Sequence, residues 1–173
     1  MTINRRTFGL LAATSVAAIV AGCSPSKFRS YNGPEVTSIV VNKAARRMYL
    51  LHNEEVLREY EFELGFAPVG DKQIEGDGKT PEGTYIIDRR NPNSQFHLSL
   101  GISYPNAEDI AEARALGKEP GGDIFIHGQP NAFKRPRGSV GDDWTWGCIA
   151  VTNREIEEIY AMVRNGTIIT IRP

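Results

Sequence analysis

Between Thr37 and Gly65 the chain reads TSIVVNKAARRMYLLHNEEVLREYEFELG, and no other stretch limits its fold as strongly. Three β-rich runs, Ser38 to Val41, Met48 to Leu51 and Val56 to Leu64, are broken by turns at Asn42 to Ala45 and at His52 to Glu54. Runs this short, with alternating apolar positions and Asn-containing turns between them, pack as a meander of antiparallel strands. A β-rich domain therefore starts near Val36.

The rest of the chain continues that pattern with two helical interruptions. GDGKTPEGTYIIDRR sets Gly76, Gly78, Pro81 and Gly83 ahead of Thr84 to Ile87, so a constrained loop feeds another strand. Residues 106–116, NAEDIAEARAL, read as a short helix with Asn106 as N-cap and Gly117 as its stop. DIFIHG, Asp123 to Gly128, is a strand that leaves His127 at its end, where side chains commonly face a site. A second helix opens at Thr152 or Asn153, with Glu155 completing a capping box, and carries the apolar stripe Ile156, Ile159, Tyr160 and Val163. Gly166 ends it, and Thr167 to Ile171 forms a last strand apolar enough for a sheet interior. The expected fold class is mainly β with two short helices.

The amino terminus is of another kind. MTINRRTFGLLAATSVAAIVAGC has Arg5 and Arg6, no acidic residue, and an uncharged run from Thr7 to Val20. That run falls short of the roughly 20 residues of a membrane span and reads as an export signal. It ends in Val20-Ala21-Gly22-Cys23, which resembles a bacterial lipoprotein processing site where Cys23 is lipidated; the alternative is cleavage near Ala21 beside an incidental cysteine. NRRTFGL also resembles a twin-arginine signal, from which Gly9 and Leu10 depart. The expected organisation is a leader over 1–22, a tether over 23–35 and one domain over 36–173. The expected location is the periplasmic side of the cell envelope, anchored to a membrane through N-terminal lipid, with Ser24 pointing to the outer membrane.

The chain has two cysteines. Lipid on Cys23 leaves Cys148 without a disulfide partner in an oxidising compartment. A lone thiol there is either a small buried hydrophobe or a nucleophile. His127 on the strand before it supplies an imidazole to activate the thiol, and the Gly147 and Cys148 amides are placed to bind an oxyanion. Metal is excluded because His127 and Cys148 make two ligands where zinc wants four. A net charge of −1 with no basic stripe excludes nucleic acid as a partner. His97 reads either as cleft-lining or as structural, and His52 as solvated in a turn. Asp142 and Asp143 either orient a substrate amine or His127, or are merely exposed.

IFIHGQP, followed after a loop by WTWGCIAVTN, resembles the catalytic domain of the L,D-transpeptidases, the YkuD-like family, whose signature is a His-Gly strand end and then Ser/Thr-His-Gly-Cys. GDGKTPEGTY is similar to that family's upstream segment, and FHLSLGISYPNAED resembles its YafK-like branch. The resemblance spans Val36 to Pro173 and implies a β-sandwich. It implies Cys148 as acylated nucleophile, His127 as base, Gly147 and Cys148 amides as oxyanion hole, and Trp146, Gly128, Ser99 and Tyr104 as substrate contacts. It implies no cofactor. The implied activity is acyl transfer on peptidoglycan stem peptides, or hydrolysis, including release of an outer-membrane lipoprotein. Two positions depart: Trp146 stands where much of the family has His, and Ala150 where it often has Arg. A reading of another class is a lipid-anchored peptidoglycan-binding module that grips its ligand with Trp144 and Trp146.

Overall fold

The structure, a computed structural model, describes residues 26–131 and 142–173. The leader over 1–22 and Cys23 lie outside the described residues. The elements run β1 (Ser38–Asn42), β2 (Arg47–His52), β3 (Glu55–Glu61), β4 (Gly83–Asn91), β5 (Ser99–Ile102), α1 (Ala107–Ala115), β6 (Phe125–His127), β7 (Ile149–Ala150), α2 (Asn153–Met162) and β8 (Ile168–Arg172).

β1, β2 and β3 form the antiparallel meander, and their alternation explains it: Ile39, Val41, Met48 and Leu50 are fully buried while the residues between them are partly exposed. β8 enters between β1 and β4, parallel to β1, so that Ile169 and Ile171 pair with Ile39 and Val41. The strand order is β3-β2-β1-β8-β4-β5-β6-β7.

β4 serves two neighbours. Gly83 to Ile86 pair with β8, whereas Ile87 to Asn91 pair with β5, and the register shifts between Ile87 and Arg89. Such a bulge bends and twists a strand. The sheet curls here, and the side chains of both halves enter one core that includes Ile39, Leu50, Leu100, Ile126 and Ile169. The curl is completed by a bridge between Glu63, just beyond β3, and Ala150 of β7.

α2 packs against β5 and β6, the strands that carry the site. Its start follows the sequence: the Thr152 hydroxyl accepts from the Glu155 amide while the Glu155 carboxylate accepts from the Thr152 amide. Ile156, Ile159, Tyr160, Met162 and Val163 are its buried face. α1 is capped by Asn106 in the same reciprocal way, with Asp109 in the partner role.

Several elements differ from expectation, β4 running on from Ile87 to Asn91 and β6 shortening to Phe125–His127 among them. The third run stops as a strand at Glu61, because the next residues turn away to bridge the far edge of the sheet. β5 was not anticipated: SLGI is buried at all four positions and shows no alternation. The expected tether is docked on the domain from Lys27 onward. Arg29 pairs with Glu157 of α2 at 2.7 Å, and the Phe28 ring lies 6.4 Å from that of Tyr160.

Removing the α2 cap is expected to be measurable. Thr152→Ala should lower the unfolding free energy by about 1 kcal/mol in urea titrations, and Thr152→Ser by much less.

Candidate active site

His127 ends β6, where Ser99 of β5 lies opposite it and Ala150 of β7 pairs with it on the other side. The ring is held by its own neighbour: Nδ1 lies 2.7 Å from the Gly128 carbonyl oxygen. A carbonyl only accepts, so Nδ1 carries the hydrogen and Nε2 is left as the basic nitrogen. Phe96 packs on the imidazole with ring centres 4.5 Å apart, and Trp144 meets it edge-on at 5.7 Å.

Cys148 directly precedes β7. The register pairs Ile149 with Ile126, which sets Cys148 level with Phe125. Phe125 and His127 are two apart on one strand, as are Cys148 and Ala150 on the next, so thiol and imidazole share a face of the sheet. Their backbones are separated by about 7 Å along the strands and about 5 Å across them. Both side chains line one cleft of about 560 Å³, with Ser99, Phe96, Ser94 and Asn93 among its other walls. A concavity of about 650 Å³ beside the end of α1 contains neither His nor Cys.

The turn that presents the thiol is fixed by Thr145 and Gly147. The Thr145 hydroxyl donates to the Cys148 carbonyl at 2.7 Å and accepts from the Gly147 amide at 3.2 Å. Gly147 has φ +120, and a Cβ there would sit 2.5 Å from the Lys79 carbonyl oxygen. Only glycine fits this turn without displacing the loop behind it.

Burial governs the electrostatics. The desolvated imidazole is pushed down to about 4, offset only in part by its bond to the Gly128 carbonyl. Burial pushes the Cys148 thiol up to about 11, against the Phe125 amide, which hydrogen-bonds to the sulfur, and the charge of Lys72, while Asp123 adds to the rise. The sulfur also donates to the Asp123 carbonyl at 3.5 Å. Among the described residues the imidazole is not a hydrogen-bond partner of the thiol. Across the whole range between those two values the resting pair is neutral.

Comparison with known proteins decides the family. The family model described as YkuD, L,D-transpeptidase catalytic domain, matches residues 37–171. The chain belongs to the YkuD L,D-transpeptidase family. It is 35% identical to YafK of Escherichia coli K12 over 102 residues, which is 58% of this chain and 34% of that protein. Among solved structures it is similar to the helical cell shape determining protein Pgp2 of Campylobacter jejuni, studied as a K307A mutant, with TM-score 0.59, 30% identity, and coverage of 82% of this chain and 48% of that one. Bd1075 of Bdellovibrio bacteriovorus matches with TM-score 0.53 and 26% identity over 79% of this chain and 48% of its own. The chain thus spans about a third to a half of the relatives it matches. An L,D-transpeptidase of Mycobacterium smegmatis, 17% identical with TM-score 0.52, shares the fold.

Within this YkuD domain the residues expected at the substrate are dispersed. Ser99 lines the cleft. Gly128 instead supports His127: its carbonyl orients the imidazole, and a Cβ would meet Asn153 Oδ1 at 2.6 Å. Tyr104 lies away from the cleft, buried edge-on against Tyr85 with its hydroxyl donating to the Pro120 carbonyl at 3.0 Å. Trp146 is 71% exposed and rests edge-on against Phe66, outside the lining of the cleft. The Gly147 amide faces Thr145, so an oxyanion reaching it displaces that contact. Ala150 is buried under the Glu63 bridge. Asp143 binds the Leu64 amide and Arg46, and not His127; Asp142 is exposed. His97 turns to Glu157 at 2.8 Å, and His52 meets the Glu35 carbonyl at 2.8 Å.

Sequence reasoning missed Phe96, Thr145 and the Phe125 amide. Thr145 alone left a signal, as the Thr of the Thr-x-Gly-Cys motif. Among the described residues no group of three or more His, Cys, Asp and Glu side chains converges as a metal site, and no helix is long and apolar enough to cross a membrane.

The neutral pair has a pH signature. Alkylation of Cys148 by iodoacetamide should climb about tenfold per unit from roughly pH 7 to 10 without levelling, since only thiolate reacts. A plateau near neutrality would instead show an ion pair with His127. The depressed imidazole also contributes stability that is complete above 6.5 and lost as pH falls toward about 4, which urea titrations across that window should show.

Proposed function

We propose that this chain is a cysteine acyltransferase acting on peptidoglycan stem peptides in the bacterial cell envelope, with Cys148 as nucleophile and His127 as base. The observation that carries the reading is the single cleft onto which β6 and the β7 turn direct a thiol and an imidazole whose Nδ1 is engaged by the Gly128 carbonyl. Family membership supplies the reaction class, and the cleft's polar lining of Asn93, Ser94, Gln95 and Ser99 suits a peptide chain with many amide groups. The role in cell shape named for Pgp2 extends to this chain as part of the same proposal.

In this mechanism the sulfur attacks a stem-peptide carbonyl carbon while Nε2 takes the thiol proton. The tetrahedral oxyanion is met by the Cys148 amide, and by the Gly147 amide once Thr145 yields it. Collapse breaks the C–N bond, the imidazolium returns the proton to the leaving amine, and a thioester remains on Cys148. An acceptor amine attacking that thioester gives transpeptidation; water gives hydrolysis. Positioning of the amine decides, because effective molarities of about 10⁵ M or more outweigh water's abundance.

The proposal places the protein on the periplasmic side of the envelope, held by lipid on Cys23. Cys23→Ser is expected to abolish lipid labelling and to move the chain from the membrane fraction to the soluble one; equal membrane association of variant and parent would sink that part of the reading.

The activity is tested with tetrapeptide muropeptides, alone and with a D-amino acid or a second stem peptide, the products being weighed by mass spectrometry. Exchanged or cross-linked products that vanish in Cys148→Ala support transfer. Shortened peptides, or muropeptides released from lipoprotein, that are indifferent to added amine establish the hydrolase. Absence of any Cys148-dependent product would leave the binding module. His127→Ala should reduce turnover by at least about 100-fold in a folded protein. Retained activity would move the base elsewhere.

A further inference from the structure

Residues 92–97 form the loop between β4 and β5, and Asn93, Ser94, Gln95 and Phe96 on it line the cleft. The loop is held from the side of β6 by Asn131, whose side-chain amide donates to the Ser94 carbonyl at 2.9 Å and whose backbone amide donates to the Gln95 carbonyl at 2.9 Å. On the other side it is held by a residue remote in sequence. Lys27 Nζ donates to the Pro92 carbonyl at 2.6 Å and to the His97 carbonyl at 3.1 Å, so one ammonium joins the two ends of the loop. Carbonyl oxygens brought this close repel one another unless a cation or donor lies between them.

His97 makes the clamp necessary. It has φ +70, a region that a non-glycine residue holds only where its surroundings enforce it. Three partners enforce it: Asn131 Oδ1 accepts from its amide at 3.0 Å, Glu157 takes its ring at 2.8 Å, and Lys27 takes its carbonyl. Arg29 binds the same Glu157, so the N-terminal segment grips His97 twice. Phe96, next along the chain, packs on His127 and gives its carbonyl to the Gly128 amide at 3.0 Å. Relaxation at His97 therefore displaces the side chain that walls the imidazole.

We propose that Lys27 is a positioning residue for the cleft, and that the segment ahead of β1 is a strap closing the 92–97 loop from outside. The inference rests on the cleft being the active site, and its test separates the two. In the full chain, Lys27→Met removes the charge and keeps most of the stem, while Lys27→Arg keeps a cation. Amide hydrogen exchange at 93–97 should quicken by about tenfold or more in Lys27→Met with β1 and β8 unchanged, and Lys27→Arg should restore most of the protection. On tetrapeptide muropeptides, Lys27→Met should raise KM by about fivefold with little change in kcat, because Asn93, Ser94 and Gln95 of the loop line the cleft while the imidazole keeps its own bond to the Gly128 carbonyl when Phe96 shifts. Unchanged exchange at 93–97 overturns the strap. Faster exchange with unchanged KM in an active protein overturns its service to the cleft. A parent with no Cys148-dependent turnover overturns the proposed activity and with it the positioning role, while exchange still decides whether Lys27 holds the loop.

Discussion

Two hydrogen bonds between Glu63 and Ala150, each 2.9 Å, join the ends of the sheet, and the site depends on them. β7 has two residues and one strand neighbour, β6; its other edge would be bare without the stretch after β3. That stretch is tied in at several further points: Leu64 accepts from the Trp144 and Thr145 amides, its own amide binds Asp143, and the Phe66 amide donates to the Thr145 carbonyl. An unpaired edge frays; here it is closed on both sides of Cys148. Cys148 thus belongs to a rigid sheet although it stands in a turn.

The same closure dries the pair. Phe96 and Trp144 pack on the imidazole, and the sulfur lies against the Asp123 carbonyl, largely desolvated, so both groups are driven toward their neutral forms. Thiolate is the form that oxidants attack, so a thiol held neutral is the less readily oxidised. Under the proposed function, the proton would have to pass from sulfur to imidazole as the bond to substrate forms. Lys72, buried and bound to Asp77 at 2.9 Å, and the Phe125 amide are the groups that oppose the burial effect.

The sequence made some of this legible because period and chemistry agreed. The meander followed from alternation at Ile39, Val41, Met48 and Leu50, the first helix from its Asn106 cap and Gly117 stop, and the second from the capping box of Thr152 and Glu155. His127 and Cys148 stood out as the thiol and imidazole flanking one loop, and the structure brings them to one cleft. β5 did not stand out, because a strand buried on both faces has no period to read. The placement of Tyr104 and Trp146 was equally hidden. Both are aromatic residues near the motifs, yet one fills the core through its bond to Pro120 and the other leans outward on Phe66, a difference set by sheet curl and not by local pattern.

The docking of the N-terminal segment also sets a distance. A free tether from Cys23 to Val36 would reach about 45 Å when extended, enough for the domain to sample a broad shell of the wall. With Lys27 fastened to the loop beside the cleft, the length available from Cys23 is four residues, about 14 Å. Under the proposed function, lipid on Cys23 would hold the cleft close above the bilayer, and any substrate strand would have to come within that short radius.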